Sequence, residues 1–118
     1  MNHQPLPDVA AEATTSNGAP SVHVKIGTSD VELNVWMSHT EVARLADVSA
    51  ARWLKTSIRL GEVAGAPAWW SVDMESQTLS VLVGMDDETW DIGVTLPIGT
   101  LDVIVAAVAS ALVWEDIP

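Results

Sequence analysis

The chain has 118 residues, 48% of them hydrophobic and 18% charged; this is the length of one domain, with apolar material for a single core that buries roughly two thirds of the unfolded surface. Sixteen acidic residues against five basic ones leave a formal net charge of -11, which excludes binding to a phosphate backbone as the main role, because that affinity comes from Lys and Arg. There is no cysteine, so disulfides, thiol catalysis and cysteine-ligated zinc are excluded as well.

Residues 1–20 carry Pro5, Pro7, Gly18 and Pro20 around a polar run, with no Lys, no Arg and no apolar period. They read as an N-terminal tail that packs on its own domain or a neighbouring chain, and not as a secretory leader, so a cytoplasmic location is expected. Residues 21–118 form the single domain. From Ser21 the pattern is period two, with Val22, Val24 and Ile26 on one face and Ser21, His23 and Lys25 on the other. After the turn residues of Gly27-Thr28-Ser29-Asp30, Val31, Leu33 and Val35 alternate with Glu32, Asn34 and Trp36, which makes a hairpin.

Ser38 and Glu41 stand three apart in the form of a capping box, so a helix starts near His39. Val42, Leu45, Ala46, Ser49 and Trp53 share a stripe if it continues to about Lys55; alternatively Ser49 caps a separate turn. Four strands follow, over 57–63, 68–74, 78–85 and 89–96. Their expected inward sets are Ile58 and Leu60; Trp70, Val72 and Met74; Leu79, Val81, Val83 and Met85; Trp90, Ile92, Val94 and Leu96. The connections are too short for crossover helices, so the sheet is antiparallel.

After Gly99-Thr100, a final helix packs Leu101, Ile104, Val105, Val108 and Leu112 on the sheet. Its other side, Val103, Ala106, Ala107, Ala109 and Val113, is almost without polar groups. At under about 20 residues, with Asp102 and Glu115 close by, it is no membrane span; a homo-oligomer interface, a dimer first, or a lid formed by the tail is expected. The predicted fold is α+β: one domain, ββαββββα, with a meandering antiparallel sheet of about six strands and helices packed on one face.

The chemistry-bearing residues are sparse. His3, His23 and His39 fit no nucleophile or metal spacing, and Asp86-Asp87-Glu88 with Asp91 lacks the interleaved pattern of a calcium loop. No nucleotide loop is present, and neither a metal nor a cofactor is expected. All six aromatic residues are Trp. Alternation places Trp36 and Trp69 on the outer face with the carboxylates Glu32, Asp73 and Asp91, a combination suited to an organic cation or a basic protein partner. The stretch from Thr78-Leu79-Ser80 through Gly84-Met85-Asp86-Asp87-Glu88 to Trp90-Asp91, with the Ala and Trp richness, resembles the orphan α+β proteins of mobile integron gene cassettes. That grouping implies neither a shared fold nor functional residues.

Three functions are compatible with these residues. They are a noncatalytic acidic binding or interaction protein that self-associates, a binder of a cationic small molecule, and a small enzyme using a His–carboxylate pair. A flat acidic face would favour the first, a concave site lined by Trp and carboxylates the second, and a His bonded to a carboxylate in a cleft the third.

Overall fold

A computed structural model describes residues 6–16, 18–51, 57–86 and 88–116. Seven strands form one antiparallel sheet in chain order: β1 (Asp8–Ser16), β2 (Ala19–Gly27), β3 (Glu32–Ser38), β4 (Ile58–Val63), β5 (Ala66–Asp73), β6 (Thr78–Gly84) and β7 (Trp90–Pro97). Among the described residues two helices accompany it, α1 (His39–Val42) and α2 (Thr100–Asp116), with a 3-10 segment over Leu45–Ala50. The α+β meander stands, with one strand more than the expected six.

The additional strand is β1, in the stretch read as tail. It pairs along its length with β2, from Asp8 opposite Gly27 to Ser16 opposite Ala19. Val9 and Ala11 turn inward and pack against the core.

The inward sets of β2 and β3 are buried as the alternation requires: Val22, Val24, Ile26, Leu33, Val35 and Met37. They join Leu60, Trp70, Val72, Leu79, Val81, Val83 and Leu96 in one cluster with Leu101, Ile104 and Val108 of α2. At the strand ends the alternation overreaches. β5 stops at Asp73 and β6 at Gly84, so Met74 and Met85, expected inside, are 50% and 78% exposed.

Helix α1 has its capping box. Ser38 Oγ accepts the Glu41 N–H at 3.1 Å, and Glu41 Oε1 accepts the Ser38 N–H at 2.9 Å. The helix does not run on toward Lys55 as a single stripe but ends after one turn. Val42 is followed by the 3-10 segment, whose Leu45 and Val48 are buried along with Ala51 just beyond it. That spacing of three is the eclipsed repeat of a 3-10 helix. Ser49 Oγ donates to Ala46 O, a local bond that competes with helix propagation; Trp53 lies outside the described residues.

The second carboxylate oxygen of Glu41 accepts the Gly61 N–H at 2.8 Å. Gly61 has φ 76 and sits where β4 carries an extra residue against β5, between Arg59 and Glu62. A Cβ there would lie 2.7 Å from Trp36 O and 2.8 Å from Val35 Cγ1, so both the left-handed backbone and the close approach need glycine. Leu60 O, beside this bulge, accepts the Nε1–H of the fully buried Trp70 at 2.9 Å.

Helix α2 packs on β1, β2 and the 3-10 segment. Among the described residues no helix is long and apolar enough to cross a membrane. The side of α2 expected to be an interface is partly open: Ala106 and Ala109 are exposed, Val103 and Ala107 half-buried. The Val113 side chain lies outside the described residues.

Candidate functional site

The core covers one face of the sheet, and the other face displays the polar residues of β2 to β7. On it the side chains form two groups.

The first spans β1 to β4. Glu12, His23 and Trp36 are consecutive cross-strand partners, and Glu62 of β4 stands opposite Trp36. The His23 and Trp36 rings stack with centroids 4.5 Å apart and planes 6° from parallel. Asn34 Nδ2 donates to Glu32 Oε2 at 3.3 Å, which leaves Asn34 Oδ1 to accept from His23 Nε2 at 2.8 Å. In this arrangement Nε2 donates, and Nδ1 lies 3.9 Å from Glu12 Oε1, beyond hydrogen-bond length. Lys25 Nζ is 3.2 Å from Glu32 Oε1. The bond from Asn34, then the Lys25 ammonium, hold the Glu32 carboxyl below the usual carboxylate range.

The second group is concave. A groove of about 750 Å³ runs over the outer face of β5, β6 and β7. Ser71, Ser80, Thr78 and Thr95 supply hydroxyls, Leu82, Met74 and Trp90 supply apolar surface, and Asp73 and Glu75 supply carboxylates at one end. Among the described residues lining it there is no Lys, Arg or His. Asp73 Oδ1 accepts the backbone N–H groups of Glu75 and Ser76 at 2.9 and 3.3 Å, an Asx-type turn that fixes this carboxylate at the end of β5.

Trp90 enters this site by a change of face. Simple alternation puts it inward with Ile92, Val94 and Leu96. Ile92 stands opposite Val83, but Trp90 stands opposite Gly84, so Asp91 is an extra residue on β7. A bulge of this kind re-aims the side chain before it. The Trp90 ring consequently lies on the outer face over Gly93, beside Leu82, and is 44% exposed. Ile92 keeps the inward direction but is 50% exposed near the open end of β7; Val94 is half-buried and Leu96 buried.

The other expected site residues do not converge. Trp36 and Glu32 belong to the first group, and Asp91 is exposed at the bulge. Trp69 is half-buried on the outer face opposite Leu82, its Nε1–H donating to Gly84 O at 3.2 Å. Only Asp73 lines the groove. The signal for Trp90 was Gly93 three residues on, since an aromatic ring commonly shelters a glycine on a sheet face.

Among the described residues no three His, Asp or Glu side chains are grouped to hold a metal ion. Asp86, in the acidic turn, is instead a turn former: its Oδ1 accepts the Glu88 and Thr89 N–H groups at 2.8 and 2.6 Å, and these two bonds hold its carboxyl below the usual range. His39 is exposed at the start of α1, and His3 lies outside the described residues. Comparison with protein-family models, with curated proteins and with solved structures finds no match to this chain.

Proposed function

We propose that this chain is a noncatalytic binding protein that takes a cationic small organic molecule in the groove over β5 to β7. One observation carries this reading: the groove combines an exposed Trp ring with two carboxylates and hydroxyls, and among the described residues no basic side chain lines it. An alkylammonium group gains from the face of Trp90 by cation–π attraction and from Asp73 and Glu75 by charge, while the hydroxyls of Ser80 and Thr95, more open than that of the buried Ser71, bond the ligand's polar groups. Concavity favours this over a flat acidic face for a basic protein partner. A His–carboxylate acid–base pair is less well supported, since His23 is directed to Asn34 and lies outside the groove.

The experiment is a Trp fluorescence screen of the full chain against choline, tetramethylammonium, putrescine, spermidine and arginine, with glucose and glutamate as neutral and anionic controls. A saturable response to one or more cations and none to the controls is expected. Equal response to glutamate, or silence across all cations, contradicts the reading.

A further inference from the structure

Strand β7 ends the sheet. The bond from the Ile98 N–H to Gln77 O at 2.9 Å, with Leu79 opposite Leu96, Val81 opposite Val94 and Val83 opposite Ile92, fixes the phase of the β6–β7 ladder. In an antiparallel pair the backbone groups of alternate residues face alternate sides. Ile92, Val94 and Leu96 thus turn theirs toward β6. Those of Gly93 and Thr95 point off the edge, where β7 has no neighbouring strand among the described residues.

Natural edges are blunted by charge, proline, bulges or a covering helix. The opposite edge is: β1 carries Asp8 and Glu12 and has α2 packed against it. On β7 the bulge and the strand's one charge, Asp91, sit at the start, and Pro97 at the end. The five residues between, Ile92-Gly93-Val94-Thr95-Leu96, are uncharged in a chain of net charge -11. Ile92, the first of them, is half exposed.

We infer that β7 pairs antiparallel with β7 of a second copy of this chain, about a two-fold axis at Val94. This register sets Val94 against the partner's Val94, Ile92 against the partner's Leu96, and Gly93 against the partner's Thr95. The N–H and C=O groups of Gly93 and Thr95 then form four bonds across the axis. Apolar side chains meet on the core side of both sheets, and Asp91 falls opposite the partner's Pro97, which has no N–H to lose. A second copy fits this edge better than a basic peptide, because the segment carries no carboxylate to attract one and is self-complementary. The two grooves, each lined in part by Gly93 and Thr95, become neighbours across the axis. The pairing stands independently of what the groove binds.

Sedimentation equilibrium of the full chain in the micromolar range is expected to give twice the 12.6 kDa chain mass. Thr95→Pro, which removes an N–H directed off the edge and leaves the β6 bonds in place, is expected to sediment as a folded monomer. The register is read by cysteine, absent from the natural chain. In an antiparallel non-hydrogen-bonded pair the Cα atoms lie about 4.5 Å apart, within disulfide reach, so Val94→Cys is expected to form a covalent dimer on mild oxidation. Thr95→Cys, opposite glycine, is expected to stay uncrosslinked. A monomeric natural chain overturns the pairing, as does Val94→Cys that fails to crosslink. A dimer that survives Thr95→Pro but is lost in Ala106→Arg assigns the contact to α2 and overturns it equally.

Discussion

The Trp90 indole lies over Gly93 on the outer face: a Cβ on Gly93 would stand 2.9 Å from Trp90 Cζ3 and 3.2 Å from Leu82 Cδ2. The glycine is thus the seat of the ring that walls the groove. Gly93→Val is expected to push the ring off this seat while the β6–β7 ladder persists. Because the displaced group is an exposed side chain, the stability cost stays within about 1 kcal/mol. Trp emission shifts to the red, and the response to cations falls. Urea unfolding and emission spectra of the variant check this; an unchanged spectrum would mean that the ring does not rest on Gly93.

The Glu41 carboxylate joins two turns of chain far apart in sequence, bonding the N–H of Ser38 with one oxygen and that of Gly61 with the other. Hydrogen bonds to charged groups contribute about 1.5–3 kcal/mol each, and an orphaned partner adds its own cost. Glu41→Ala is expected to lower stability by about 2–4 kcal/mol. Glu41→Gln, which keeps one acceptor oxygen, is expected to lose roughly half as much. Chemical denaturation of both variants measures the difference.

Trp70 fills the core between β4 and β6, with its Nε1–H on Leu60 O. Trp70→Phe removes volume and leaves a buried carbonyl without its donor, so a loss of about 2–4 kcal/mol is expected. Trp69→Phe, a change at the half-buried neighbour, is expected to cost under about 1.5 kcal/mol. Thermal unfolding of the two variants side by side tests the assignment of one ring to each face.

Glu32 and Asp86 both have carboxyls held below their ordinary values in the folded chain, Glu32 by Asn34 and Lys25 and Asp86 by the N–H groups of Glu88 and Thr89. A lowered folded value means that the contribution is complete above the usual carboxylate range, near about pH 4, and is lost as the pH falls through the folded value. The unfolding midpoint is therefore expected to drop on acidification below about pH 4. Asp86→Asn keeps the acceptor oxygen but cannot titrate. Its midpoint, lower than that of the natural chain at neutral pH, is expected to converge with it in acid.

Much of the sheet was legible because Val22, Val24 and Ile26, and Leu33, Val35 and Met37, carry strong alternation on strands with one wet face. Ser38 and Glu41 announced the helix start equally well. β1 was missed because Ala10, Ala11 and Ala13 are poor strand formers that give little apolar alternation, although Asn17-Gly18 is a dipeptide that marks a two-residue hairpin turn. Of the two readings after Val42, the long stripe fails because it counted Ala46 and Ser49, which are exposed, while the buried set is Leu45, Val48 and Ala51, at the spacing of three of a 3-10 turn. The site was less legible still. Asp73 was identified, but Trp90 was assigned to the core because a single extra residue, Asp91, reverses the face of everything before it. A bulge has no composition of its own, so alternation cannot reveal it.

Binding of an organic cation against Trp90 and Asp73 is read by calorimetric titration of the best cation from the fluorescence screen. The natural chain, Trp90→Ala and Asp73→Asn are compared, the last keeping the oxygen that holds the turn at Glu75 and Ser76. Each substitution is expected to weaken binding by roughly 3- to 30-fold, the range of one cation–π or charge contact. Trp36→Ala, in the other group of the outer face, is expected to leave it unchanged. Affinity that survives Trp90→Ala and Asp73→Asn intact, or that falls with Trp36→Ala instead, would contradict the account.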